Sequence, residues 1–220
     1  MVTLEFHCHT RYSKDSLLSL ETLLQVSRRK GIDRLVITDH NTIAGAVLAK
    51  EMDPERVIVG EEIVTQAGEL LCAFIQEEVP SGLHPLEAIN RLKQQGAFIS
   101  VAHPFDTMRK AQWTIDQLLE IVPHIDAIEI FNSRCFKAKF NHNAENFAKK
   151  HNLTGTVGSD SHTAMELGRA TMQVPAFSDT ASLKSSLTMA KFNLFLSSPL
   201  IHFTSRYATW RKVIAHKINV

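Results

Sequence analysis

The chain has 220 residues, 44% of them hydrophobic and 21% charged, with a formal net charge of +1. That is an ordinary globular mixture, long enough to bury a full core in one large domain or two small ones. The near-zero charge excludes a strong overall field steering the protein to nucleic acid or membrane, though a local cationic pocket for a nucleotide would not alter the total.

Three scattered cysteines, Cys8, Cys72 and Cys135, form no CxxC pair. A disulfide framework or a cysteine-type zinc site is therefore not expected, and a reduced cytoplasm fits best. The N-terminus turns polar within a few residues and reads as no signal peptide. No run reaches the roughly eighteen apolar residues that a spanning helix needs.

In chain order, Leu4, Phe6 and Cys8 alternate with Glu5, His7 and His9, the period of a strand. The pattern predicts a helix over 19–29 that Gly31 stops, then a short buried strand over 35–38. A helix over 42–50 precedes a strand over 57–59, which Gly60 closes. Strands are predicted over 70–75, 97–102, 127–131 and 154–157. Helices are predicted over 86–95, stopped at Gly96, and over 115–121, 143–150 and 181–191. About seven strands alternating with helices imply a parallel sheet, either doubly wound or closed into a barrel. One domain is expected over 1–198. The tail, 199–220, carries Arg206, Arg211, Lys212 and Lys217 with Tyr207 and Trp210, and is expected to pack on the domain surface.

Metal-binding side chains recur where the apolar strands end. His7 and His9 lie two apart on one strand and so share a face. Asp15 follows in the next loop, Asp39-His40 ends the second strand, and Glu61-Glu62 follows the third. His103-Pro104 ends the fifth, and Asp160 and His162 follow the seventh. Each piece alone has a bland reading, such as a helix cap for Asp39 or a turn for His103-Pro104. Together, five such strand ends converge on one mouth, because loops at the C-terminal ends of parallel strands line the ligand site. Crowded carboxylates raise one another's pKa unless cations intervene. Imidazole with carboxylate suits Zn, Mn or Fe, and more than four ligands imply more than one ion.

These residues fall in HCHTRYSKDS (7–16), TDHNTI (38–43), GEEI (60–63), AHPFD (102–106), EIFNSR (129–134) and GSDSH (158–162). Over about residues 4–170 the chain resembles the PHP (polymerase and histidinol phosphatase) family. The resemblance implies a distorted (β/α)7 barrel and two or three divalent metal ions. By analogy His7, His9, Glu62 and Asp160 hold the first metal. Glu62 bridges to a second that His103 also binds, and Asp15, His40 and His162 hold a third. The family's G-x-E spacing prefers Glu62 over Glu61. Many members add a His or Cys on the second metal; none is evident here, and Glu69 and Glu129 are the candidates.

The resemblance also implies phosphoester hydrolysis. A water between two metals loses its proton and attacks phosphorus in line. Asp160, His162 and Arg134 are the expected catalytic residues. The Arg134 guanidinium and the Lys14 ammonium are expected to meet the phosphate. A small phosphorylated molecule or nucleotide is the leading substrate. The alternatives are an exonuclease trimming short oligonucleotides, a non-catalytic metal-stabilised module, and a metal-dependent amide hydrolase. Cys8, opposite His7 and His9 on its strand, reads as core. His84, His124, His142, His151, His202 and His216 read as surface or capping residues.

Overall fold

The computed structural model describes residues 1–218, with side chains to Ala215. Lys217 and His216 therefore lie outside the described side chains. Nine strands form one sheet: β1 (Val2–Cys8), β2 (Arg34–Ile37), β3 (Val57–Val64), β4 (Glu69–Ala73), β5 (Phe98–Val101), β6 (Ala127–Asn132), β7 (Thr154–Gly158), β8 (Ala170–Val174) and β9 (Lys191–Leu194). Seven helices accompany them: α1 (Leu20–Arg29), α2 (Ala44–Met52), α3 (Pro85–Gln94), α4 (Ile115–Ile121), α5 (Ala138–Lys150), α6 (Thr180–Leu187) and α7 (Ile201–Ile218). The sheet order is β7-β6-β5-β4-β3-β2-β1-β8-β9. The end of β7 returns to β1 through a Cys8–Ser161 bridge, with the His9 amide donating to the Ser161 carbonyl at 2.8 Å. The sheet thus curls into the distorted barrel.

Local chemistry explains most of the elements. Ser19 caps α1 by accepting from the Thr22 amide, and Gly31 turns the chain away at φ +66°, a conformation cheap only for glycine. Thr114 and Gln117 close a reciprocal cap on α4, as Asp179 and Ser182 do on α6.

Three expectations are corrected. The strand over 57–59 does not close at Gly60 but runs on to Val64. A Cβ at Gly60 would stand 2.4 Å from the Cys72 carbonyl, so the missing side chain admits the neighbouring strand rather than ending this one. Glu62 consequently sits within the body of β3. Next, β4 is antiparallel to both β3 and β5. Only four residues join β3 to β4, too few for the crossover that a parallel pair needs. Third, β8 and β9 were not foreseen; β8 pairs antiparallel with β1 and β9. The predicted helix over 181–191 therefore ends at Leu187, and Lys191 opens β9. The tail, for which no element was predicted, forms a long helix, α7.

A core drawn from every strand of the barrel fills its interior. It holds Leu4 and Phe6 of β1, Val36 of β2, Ile58 of β3, Leu71 of β4, Phe98 of β5, Ala127 of β6 and Val157 of β7, with Leu183 and Leu187 of α6 below. Lys184 meets Asp126, and the Thr180 hydroxyl donates to the Gly96 carbonyl at 2.7 Å. Both partners precede strands, so α6 plugs the N-terminal end and leaves the C-terminal mouth to the polar residues. Outer layers pack α1 and α2 against β1 and β2, and α3 to α5 against β3 to β6. The pairing of β1 with β2 slips between Glu5 and Cys8. Leu4 and Phe6 accordingly join the interior plug, whereas Cys8 joins the outer α1–α2 layer. Such a bulge re-aims side chains, here His7 and His9. All three cysteines are buried and free.

Gly158 lets β7 close on β1, since a Cβ there would stand 2.3 Å from the His7 Cβ and 2.7 Å from Glu129 Oε1. Gly158→Ala is expected to cost about 1–3 kcal/mol, the usual range for overpacking. Urea unfolding checks it; an unchanged midpoint would show that the closure is looser than described.

Candidate metal centre

Four buried side chains converge at the mouth. His7 Nε2 lies 3.1 Å from His9 Nε2, 3.4 Å from Glu62 Oε2 and 3.7 Å from Asp160 Oδ1. His9 Nε2 is 3.3 Å from both carboxylate oxygens. Tetrahedral ligands about 2.1 Å from an ion stand about 3.4 Å apart, so His7, His9 and Glu62 have the spacing of ligands around a common centre, with Asp160 Oδ1 within 3.7 Å of both histidines.

The tautomers agree. His7 Nδ1 faces Glu129 Oε1 at 2.9 Å, and a carboxylate there requires the proton on Nδ1. His9 Nδ1 faces Ser13 Oγ at 3.0 Å. Ser13 spends its own proton on Asp39 Oδ1 at 2.8 Å, so His9 must donate. Both Nε2 lone pairs are thereby turned towards the cluster, the usual arrangement behind metal-binding histidines.

Two further groups flank this one. His103 Nε2 lies 3.0 Å from Glu62 Oε1 and 3.5 Å from Glu69 Oε2. His40 Nδ1 lies 3.0 Å from Glu62 Oε2, and its Nε2 lies 3.5 Å from Asp15 Oδ2. His162 Nε2 lies 3.1 Å from the same Asp15 oxygen, while its Nδ1 reaches the Asp160 carbonyl at 2.9 Å. Glu62 is thus shared between groups. Glu61 is not among them: it turns away and accepts from the Val79 amide at 3.1 Å.

Buried polar atoms without a hydrogen-bond partner include Asp15 Oδ1, His40 Nδ1, Glu62 Oε2, Asp160 Oδ1 and His162 Nε2. Leaving one such atom unpaired costs about 1–3 kcal/mol, and five orphans converging on one space fit divalent ions. Backbone strain sits at two of the strand ends, with His103 at φ +25° and Asp160 at φ +50°. Strain of this kind concentrates at functional sites.

The fields are strong. Burial disfavours the charge on Glu62, but His7 and His40 outweigh it and hold the carboxyl well below its usual range. Asp160 is likewise held low, against burial, by Arg109 and His7. Burial opposes the charged form of His7, yet Glu62, Asp160 and Glu129 together lift it well above its ordinary value, so an ion bound at Nε2 would take the place of a proton there. His9 is pushed down to about 3 by burial and by His162 and His40, so it is neutral and able to ligate.

Glu129 has both oxygens engaged. Oε1 takes His7, and Oε2 accepts from the His103 amide at 2.8 Å and Asn132 Nδ2 at 3.0 Å. Arg134 is buried behind the cluster. Its Nη1 lies 2.5 Å from His162 Nδ1 and 4.0 Å from Asp160 Oδ1, its Nε faces Glu166 at 3.2 Å, and its Nη2 donates to Ser205 Oγ at 2.8 Å. Lys14 is exposed on the rim beside Asp15. His84, His124 and His142 are exposed.

Sequence reasoning missed Arg109, which pairs with Asp160 Oδ2 and, at 3.2 Å, with Asp106 Oδ2. Its one signal was a loop following a strand end. It also missed Ser13 and Glu166, which nothing in the spacing marks.

A single α/β barrel that gathers imidazoles and carboxylates at its strand ends defines the class: an α/β barrel with a candidate divalent-metal centre. The model of the PHP domain matches residues 5–144, and that of the PHP-associated region matches 138–191. The chain belongs to the PHP domain family. It is 34% identical over 169 residues to the uncharacterised protein MJ0417 of Methanocaldococcus jannaschii, covering 76% of this chain and 68% of that one. Its fold is similar to that of a Bifidobacterium adolescentis chain with the provisional description of a metal-dependent phosphoesterase. That likeness has a TM-score of 0.62 at 18% identity and covers 84% of this chain and 95% of the other. It is similar also to a lesion-specific endonuclease of Pyrococcus furiosus, with a TM-score of 0.63 at 14% identity, covering 87% and 57%. At these identities the likeness is one of fold.

Proposed function

We propose that the chain hydrolyses a phosphomonoester of a small molecule or nucleotide, within the metal-dependent phosphoester chemistry that its family supports. The observation that carries this reading is that His7 Nε2 and His9 Nε2 stand 3.1 Å apart and each lies 3.3–3.7 Å from a Glu62 and an Asp160 oxygen. Divalent manganese, zinc or iron bound there would supply an acidified water and positive charge for the phosphoryl oxygens.

In this reading two or three ions are held. His7, His9, Glu62 and Asp160 form one group, His103, Glu69 and the second oxygen of Glu62 another, and Asp15, His40 and His162 the third. Glu129 orients His7 through Nδ1 rather than meeting an ion. Arg134, held by His162, Glu166 and Ser205, adds positive charge beside Asp160 rather than through a free edge. Arg109 supplies a second guanidinium on the opposite side of Asp160, and Lys14 a point charge at the rim. The catalytic unit is 1–198, with 199–220 appended to it. Free buried cysteines support a cytoplasmic setting, and no helix among the described residues is long and apolar enough to cross a membrane.

Glu129→Gln is expected to weaken metal binding about 10–100-fold, the usual loss when the group behind a ligating histidine is changed. Calorimetric titration with manganese reads it; unchanged affinity would remove Glu129 from this role.

The function itself is tested by phosphate release with added manganese. Monoesters such as p-nitrophenyl phosphate are expected to turn over with higher kcat/KM than dinucleotides. Silence across a phosphate-ester panel with stoichiometric metal bound would point to a non-catalytic module. Preference for oligonucleotide ends would point to a nuclease.

A further inference from the structure

The helix α7 lies beyond both matched regions, which end at residue 191. It is nonetheless tied to the centre. Arg134 donates to Ser205 Oγ at 2.8 Å, and Lys212 Nζ donates to the carbonyls of Arg11, at 2.6 Å, and Ser13. Those two carbonyls belong to the loop between His9 and Asp15. The helix is therefore clamped over the ligand loops as a roof.

Between α7 and the ligand loops lies an open groove of about 250 Å³, lined by Leu17, Leu18 and Ala164 on one side and Thr204, Tyr207 and Ala208 on the other, with Asp15 and His162 at its wall. It is thus continuous with the third group of ligands. Its threonine hydroxyls are spent internally: Thr163 donates to Glu166 Oε2 at 2.8 Å and Thr204 to the Ile201 carbonyl at 2.6 Å. Apart from Asp15 and His162, which the proposed third ion would occupy, a polyol would find few free partners there, and buried hydroxyls without partners are costly. An apolar cavity of about 150 Å³ accepts benzene, so this groove has room for a fused pair of rings. The Tyr207 ring lines it and is 53% exposed, available to stack on a flat occupant.

We infer that this groove takes the organic half of the substrate, and that this half is a flat aromatic group of one or two rings rather than a polyol. The inference rests on the phosphoesterase reading of the adjoining centre. It also makes α7, outside the matched regions, the element that sets substrate class.

The test compares 1-naphthyl phosphate with glycerol phosphate in the manganese-loaded full chain, in Tyr207→Ala and in Ala208→Trp, which fills the groove. Aryl esters are intrinsically more reactive, so the quantity read is the change in the naphthyl-to-glycerol ratio of kcat/KM. That ratio is expected to fall about tenfold in each variant, within the range for pocket discrimination and ring stacking. An unchanged ratio in Tyr207→Ala, whose exposed ring can be removed without burdening the fold, overturns the inference even if Ala208→Trp misfolds. Calorimetric binding of 1-naphthylphosphonate separates the two levels. Binding that weakens in Tyr207→Ala, without turnover of any ester, keeps the subsite and sinks the phosphoesterase reading. Turnover of both esters with no binding preference does the reverse.

Discussion

Asp160→Ala is expected to lower metal-dependent phosphate release at least ~10³-fold. Asp160 Oδ1 faces both His7 and His9, and the Oδ2 atom holds Arg109 and Asn132. Its loss removes a ligand and leaves a guanidinium uncompensated. Charge stabilisation by a bound ion is worth several kcal/mol, and each 1.36 kcal/mol is about tenfold in rate. Asp160→Asn keeps the shape and the Asn132 contact but removes the charge, and is expected to fall nearly as far. Turnover under saturating manganese, with metal content measured in parallel, checks both. More than a tenth of the parent rate in either variant would take Asp160 out of the centre.

The second large effect is on stability. A chelator is expected to lower the melting temperature by ~10 °C relative to the manganese-loaded protein. An ion that binds only the folded state stabilises it by ~4 kcal/mol at a thousandfold excess over its dissociation constant. For a chain of this size each kcal/mol moves the transition by ~2–4 °C. An ion would also give partners to the buried ligand atoms that lack a hydrogen bond, such as Asp160 Oδ1 and Glu62 Oε2. Calorimetric scans with manganese, with zinc and with chelator measure it. Coincident transitions in all three would mean that the cluster is satisfied without metal.

Much of the barrel was legible because its signals are local. Helix stops at Gly31 and Gly96 and the bounds of α4 follow from caps and apolar spacing that a few neighbouring residues decide. The positions of His7, His40, His103 and Asp160 at strand ends were legible for the same reason. The hairpin between β3 and β4 was readable too, since four intervening residues cannot hold a crossover helix, but the run of strands and helices hid it. β8 and β9 carry weak patterns, and their pairing with β1 comes from segments far away in the chain.

The order of residues by itself determined alternating strands and helices and an inventory of imidazoles and carboxylates at the strand ends, because backbone propensity and hydrophobic period act over a few residues, and the family resemblance chose the barrel over the open sheet. The resemblance already preferred Glu62 over Glu61; only the tertiary structure decided that Glu129 stands behind His7, that Arg109 reaches Asp160, and that the tail folds into a roof. Those outcomes depend on which side a strand presents after a register slip and on which remote side chain fills the remaining space. Such distances between residues more than a hundred positions apart exist only once the core has packed.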